Sequence, residues 1–161
     1  MAPPIDAREK LGTALRHALK QTPLSKISVS ALTRAAGVTR QAFYYHFSSL
    51  NDLNSWVFRE EVTSRLTTSS GEWLDAVEAT MLWMHEHRDE TAAAMKTIEA
   101  NDLWAFLISN AQELIESRLP GSASATARDV VAQHFALATG AHMAQWMLSG
   151  LEVNPSLAIA R

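Results

Sequence analysis

Residues 27–47, ISVSALTRAAGVTRQAFYYHF, decide the fold of this chain. Ser28 is a good N-cap for one short helix, and Thr39 is a good N-cap for the next. Gly37 lies between them and supplies the corner, since glycine readily ends a helix. Two short helices joined by a glycine-bearing turn form a helix-turn-helix. The sequence therefore predicts this motif over residues 27–47.

The second helix of the motif has an apolar side and a polar side. Val38, Phe43 and Phe47 can face a core. The other side carries a guanidinium, an amide and two phenols, on Arg40, Gln41, Tyr44 and Tyr45. A plain helical hairpin with all its aromatic rings in the core is the alternative, but the adjacent tyrosines cannot both point inward beside the two phenylalanines. Arginine and glutamine bond base edges and phenols donate to phosphates, so we expect this helix to enter a DNA major groove.

Charge is divided unevenly along the chain. Residues 1–50 carry seven Lys/Arg against two acids, a net charge of +5. Residues 51–161 carry seven Lys/Arg against fifteen acids, a net charge of −8. A basic first third suits phosphate binding, and an acidic remainder would keep the rest of the protein off a polyanion. Chance segregation of solvated surface charge is the alternative.

The rest of the chain predicts helices and no strands, so we expect an all-α fold. Leu11, Leu15 and Leu19 recur at helical spacing. We predict a DNA-binding domain of three helices over residues 1–48, joined through a fourth helix to a helical domain over residues 49–161. The remaining predicted helices cover residues 6–21, 49–66, 72–87, 90–97, 100–118 and 125–149.

Residues 27–53, with Ala-Gly-Val-Thr-Arg-Gln-Ala-Phe-Tyr-Tyr-His-Phe at their centre, closely resemble the DNA-binding head of TetR-family transcriptional regulators. That resemblance implies an all-α homodimer on a palindromic operator in double-stranded DNA, most often a repressor, whose helical body binds a small-molecule effector. It implies phosphate contacts at Ser28 and Thr39, base-edge contacts around Arg40, and backbone contacts from Tyr44 and His46. The full set of residues that it assigns to DNA is Lys26, Ser28, Ser30, Thr39, Arg40, Gln41, Tyr44, Tyr45 and His46.

The chain departs from the family at Leu50, where many members have a lysine that holds a phosphate. Loss of that lysine removes one charge-assisted contact and predicts either weaker DNA binding or binding that depends more on Lys26 and Arg40. Phe-Tyr-Tyr-His-Phe47, and Trp-Met-Leu-Ser-Gly150 near the end, are similar to the DhaS-like dihydroxyacetone kinase regulators. This second resemblance leaves an alternative function open, a co-regulator that acts mainly through a protein partner and binds DNA weakly or not at all.

The resemblance places an effector pocket among the helices of the body, where indole rings suit an apolar or aromatic ligand. The residues we assign to that pocket are Trp56, Trp83, Trp104, His142 and Trp146. Ordinary core packing of each tryptophan is the alternative. Small residues along 132–144 would let a partner helix approach closely, either within the chain or in a homodimer.

Several classes of protein are disfavoured by the sequence. The chain has no cysteine, hence no disulfide or thiolate zinc site, and no apolar run long enough to span a bilayer. It begins without a basic, apolar leader, so we expect a cytoplasmic protein without membrane attachment. Motifs for a phosphate loop, a dinucleotide fold, a serine hydrolase or a metal site are missing, and we expect neither an enzyme nor a cofactor or metal.

Overall fold

The computed structural model describes residues 6–156, and within that range the chain is helical throughout, without strands. The helices are α1 (Ala7–Leu19), α2 (Val29–Ala36), α3 (Arg40–His46), α4 (Leu50–Thr68), α5 (Trp73–Glu86), α6 (Arg88–Met95), α7 (Ala100–Arg118) and α8 (Ala125–Leu148). A single turn of 3-10 helix, Leu24–Lys26, joins α1 to α2. The predicted all-α fold is confirmed.

The helix boundaries differ little from those that the sequence predicts. Helix α7 has the predicted range, and α8 ends one residue early. Helix α6 begins two residues before the predicted position, because His87 alone separates it from α5 and donates its backbone N–H to Trp83 O at 3.0 Å. The 3-10 turn was not predicted. Residues 1–5 and 157–161 lie outside the described residues.

The head, which we define as α1, α2 and α3, has its own core. Its buried side chains come from all three helices and from the first half of α4: Leu11, Leu15, Leu32, Phe43, Phe47, Leu53 and Val57. Trp56 packs against this cluster beside the buried Gly12 of α1. A Cβ on Gly12 would lie 2.7 Å from Trp56 Cζ3, so glycine is what lets α1 and α4 approach here. The head therefore packs against the first half of α4.

The body, which we define as α5 to α8, holds a second and larger core that also takes in the end of α4. Helices α7 and α8 approach closely at Gly140. A Cβ on Gly140 would lie 2.7 Å from Ile108 Cγ1 and 3.2 Å from the Ile108 backbone. The small residues predicted to admit a partner helix are thus used, at least at Gly140, within the chain.

Polar contacts fix α4 against α6. Asn54, which is buried, donates from Nδ2 to Glu90 O at 3.0 Å. The Ser55 hydroxyl is 3.2 Å from Ala94 O and also contacts the Thr97 hydroxyl. Since buried polar groups cost free energy unless they are hydrogen-bonded, these contacts define how α4 sits on the body. The division into domains 1–48 and 49–161 stays a prediction, because α4 contributes to both cores.

Candidate nucleic-acid interface

The turn between α2 and α3 is fixed by backbone geometry. Ser28 caps α2, its Oγ accepting the N–H of Ala31 at 3.2 Å. Gly37 ends the helix with φ 64° and ψ 33°, a left-handed conformation that glycine adopts without a Cβ penalty. The N–H of Val38 then returns to Thr33 O at 3.0 Å. These bonds set the angle at which α3 leaves α2.

Helix α3 is anchored by its aromatic residues and presents its polar side chains to solvent. Thr39 Oγ1 accepts the N–H of Ala42 at 3.0 Å and so starts the helix. Phe43 is fully buried, and Phe47 is 4% exposed. Tyr44 is 52% exposed and Tyr45 is 84% exposed, while Arg40 and Gln41 are also exposed. We call Arg40, Gln41, Tyr44 and Tyr45 the α3 face.

Two adjacent exposed tyrosines are unusual, because burying an aromatic ring is strongly favourable. The Tyr44 ring stays in edge contact with Phe43, with centroids 5.2 Å apart. Tyr45 extends further and touches His46 edge-on at 4.9 Å. The α3 face therefore offers a guanidinium, an amide and two hydroxyls on one short helix, which are the groups that bond base edges and phosphates.

His46 makes a contact within the head that the sequence did not predict. It is half-buried, and its Nε2 lies 3.9 Å from Asp6 Oδ1, an ion pair only when His46 is protonated. Asp6 is the N-cap of α1. His46 thus connects the end of α3 to the start of α1, and a contact with the DNA backbone stays a prediction.

The other predicted DNA-binding residues lie at the surface of the head. Lys26 ends the 3-10 turn and is exposed. Ser30 is exposed in the first turn of α2, where its carbonyl accepts the Thr33 hydroxyl at 3.3 Å. The caps Ser28 and Thr39 are exposed as well. All these positions are open to a phosphate backbone, and their contacts with DNA remain predictions.

The structure explains why a leucine occupies position 50, where the sequence comparison led us to expect a lysine. As the first residue of α4 it is partly buried against the core of the head. Asp52 accepts the backbone N–H of Ser48 at 2.8 Å, and Ser49 Oγ accepts the N–H of Asp52 at 3.1 Å. The start of α4 is therefore capped by its own side chains and presents a carboxylate where a phosphate-binding lysine was expected.

The structure does not bring the five predicted ligand-binding residues together. Trp56 lies on the core of the head, 5.7 Å from the Phe47 ring, and Trp104 lies on the body core. Trp146 is buried and donates from Nε1 to Val153 O at 2.7 Å.

Two of the five line cavities, and those cavities are separate. Trp83 lines a cleft of about 710 Å³ between the head and the body. His142 lines a cavity of about 140 Å³ between α5 and α8, together with Trp73, which the sequence analysis had not assigned. A ligand-binding role for any of the five stays a prediction.

The head matches a known protein family. Residues 13–53 match the family described as "Bacterial regulatory proteins, tetR family". About a quarter of the chain is therefore similar to this family of regulatory proteins. The match covers the second half of α1, all of α2 and α3, and the start of α4, so the likeness concerns the helix-turn-helix. No helix within residues 6–156 is long and apolar enough to cross a membrane.

One solved structure resembles the chain in fold over almost its whole length. One named dihydroxyacetone kinase operon activator DhaS has a TM-score of 0.60 and 18% identity, over 98% of this chain and 94% of that one. At this identity the likeness concerns the fold alone. NalD, the secondary repressor of the MexAB-OprM multidrug efflux pump of Pseudomonas aeruginosa, aligns at 17% identity over 96% and 91%, with a TM-score of 0.38. Reduced E. coli NemR aligns at 18% identity over 96% and 95%, with a TM-score of 0.37. No curated protein matches the chain by sequence.

Proposed function

We propose that this protein is a dimeric transcriptional repressor that binds double-stranded DNA through its head and responds to a small-molecule effector. The observation that carries the proposal is the α3 face, held on a capped helix-turn-helix in a TetR-family head. An exposed helix bearing these groups reads a major groove, and the basic charge of residues 1–50 attracts the phosphates.

A homodimer is supported by the surface of α8. Large exposed apolar side chains concentrate on this helix: Val130, Val131, Phe135, Leu137 and Leu148. Its opposite side packs on α7. An apolar surface of this kind is what a second copy of the chain would cover, and a twofold dimer would read two half-sites of a palindromic operator.

The co-regulator alternative rests on the resemblance to DhaS-like proteins and on Leu50. The resemblance to DhaS-like proteins supports the fold, and Leu50 is explained by its packing against the core of the head. Neither favours a protein partner over DNA. The α3 face, in contrast, is exposed, and of its four side chains Tyr44 touches the buried Phe43, so DNA binding is the better account of this face.

The experiment that tests this function is a gel shift with duplex DNA from the promoter region next to the protein's own gene. We expect wild-type protein to give a discrete complex that weakens as salt rises. Combined Arg40→Ala and Tyr45→Ala should remove the complex while the far-UV circular dichroism is unchanged, since both side chains are exposed. Arg88→Ala is the matched control, because Arg88 is exposed in the body, and it should bind as wild type does.

Either of two results would contradict this function. The wild-type protein could give no salt-sensitive complex at all, or the double variant could bind as tightly as wild type. The second result would show that the head does not use the α3 face, even if the protein binds DNA by its general charge.

A further inference from the structure

The cavity between α5 and α8, which we call the α5–α8 cavity, has a volume of about 140 Å³. Most of the residues that line it are apolar: Trp73, Leu74, Val77 and Met81 from α5, and Phe135, Ala138 and Met143 from α8. An apolar protein cavity of roughly 150 Å³ is large enough to bind benzene. The α5–α8 cavity therefore has the size of one aromatic ring.

The wall of the cavity is aliphatic and sulfur-bearing on its buried side and aromatic on its exposed side. Val77, Met81 and Met143 form the buried side, and none of them is more than 2% exposed. On the exposed side the Trp73 ring lies against the Phe135 ring, with centroids 5.8 Å apart and planes at 60°. Aromatic rings attract one another in tilted arrangements, and thioethers make favourable contacts with a ring. This wall favours an aromatic ligand over an aliphatic one of the same size.

Two polar side chains of α8, Thr139 and His142, also line the cavity. They are three residues apart and therefore lie on the same face of the helix. Within residues 6–156 neither side chain forms a hydrogen bond or an ion pair. Thr80, another buried threonine, donates to Ala76 O at 2.8 Å. Since a buried hydroxyl costs free energy without a hydrogen-bond partner, the Thr139 side of the cavity suits a ligand with a hydrogen-bonding group.

The charge of the lining favours an uncharged ligand. Among the described residues that line the cavity, none is Asp, Glu, Lys or Arg. A cation that entered would lose its water without gaining a counter-charge, and an anion would meet at most the exposed His142. A neutral molecule avoids this cost.

We propose that the α5–α8 cavity binds a neutral aromatic molecule of one ring that carries a hydroxyl group, a simple phenol. The ring would lie against Trp73 and the two methionines of the wall, Met81 and Met143. Its hydroxyl would bond the side chain of Thr139 or His142. The inference rests on the proposed function only in naming this ligand the effector.

Methyl NMR of the full-length protein without DNA, isotope-labelled at the methionine methyl groups, shows where phenol binds. Met81 and Met143 line the cavity, whereas Met84 and Met95 do not. Titration with phenol should shift the Met81 and Met143 signals saturably and the other two by less, because a bound ring perturbs the methyl groups that it touches. Absence of a saturable shift, or equal shifts at all four methyl groups, would overturn the proposal.

Three further probes each change one feature of phenol. Benzene lacks the hydroxyl, cyclohexanol lacks the aromatic ring, and benzoate carries a charge. In the same titrations we expect benzene and cyclohexanol to bind about 2- to 12-fold more weakly than phenol, with benzoate weakest. Benzoate or cyclohexanol binding as tightly as phenol would contradict the proposed ligand class.

A double variant tests the polar groups of the cavity. Thr139→Val with His142→Leu should weaken phenol about 2- to 12-fold and leave benzene unchanged, since only phenol has a hydroxyl to bond. Thr67→Val with His134→Leu makes the same chemical change at exposed positions outside the cavity and should have no effect. If both double variants weaken phenol equally, the hydroxyl is not bound in this cavity and the proposal is wrong. Phe135 is kept in all variants, because a substitution there would also affect the proposed dimer.

The aromatic side of the cavity is tested in the same way. Trp73→Leu should weaken phenol about 2- to 12-fold, whereas Trp104→Leu, which removes an indole outside the cavity, should not. Trp73→Phe keeps an aromatic ring if the leucine variant fails to fold, and it should bind phenol within about threefold of wild type. Wild-type affinity in Trp73→Leu, or loss of phenol binding in a folded Trp73→Phe variant, would contradict the proposal. A failed gel shift would leave these results intact, because none of them involves DNA.

Discussion

Replacing Gly12 by alanine tests how the head is seated on α4. Alanine is favoured over glycine within a helix by about 1 kcal/mol, so the change would stabilise an unobstructed helix. Here the new Cβ would lie 2.7 Å from Trp56 Cζ3, closer than side chains tolerate. The ring has little room to move, since it contacts Phe47 at 5.7 Å and lies under Arg8 at 5.0 Å. Overpacking of this kind costs about 1–3 kcal/mol, so Gly12→Ala should destabilise by about 0–2 kcal/mol net.

A double-mutant cycle separates the two effects. In a Trp56→Leu background the ring is gone, so Gly12→Ala should become stabilising by about 1 kcal/mol. The coupling between the two changes equals the overlap, about 1–3 kcal/mol. Urea unfolding followed by circular dichroism gives all four free energies of unfolding. If Gly12→Ala has the same effect in both backgrounds, Trp56 is not the obstacle and this account of the head is wrong.

Three further changes address other parts of the molecule. Gly140→Ala should lower the free energy of unfolding by about 1–2 kcal/mol, because its Cβ meets the backbone of α7. Gly121→Ala, in open space, should be neutral. Thermal melts would compare the two variants, and equal effects would count against close packing at Gly140. Thr39→Ala removes the cap of α3 and should cost about 1 kcal/mol, measured by urea unfolding. Phe135→Glu should dissociate the proposed dimer in sedimentation velocity, whereas Val153→Glu, exposed beyond α8, should not. A dimer that persists in the Phe135 variant would remove α8 from the interface.

The helices could be predicted from the sequence because their signals are local. Ser28, Thr39 and Ser49 cap helices as their residue types predict, and Gly37 adopts the left-handed conformation expected at a helix end. The two sides of α3 follow from spacing alone, since Phe43 and Phe47 are one turn apart. Each of these depends on residues within four positions of one another.

The candidate ligand site could not be predicted in this way, because it depends on packing between distant segments. Nothing in the sequence near Trp56 distinguishes an indole against the head from an indole in a pocket; the small residue it needs, Gly12, lies in another helix. Trp83 likewise lines the cleft between the head and the body only because α1 passes opposite α5. Residue type indicated the chemistry of these rings, and only tertiary structure could separate their positions.

Sequence recognition by the α3 face can be measured by selecting binding sites from a random duplex library. Wild-type protein and the Arg40→Ala, Tyr45→Ala double variant would be taken through identical rounds of selection and sequencing. We expect wild type to enrich a twofold-symmetric motif and the double variant to lose it or to enrich a different one. Absence of any enriched motif with wild type, or the same motif with both proteins, would contradict sequence recognition by the α3 face.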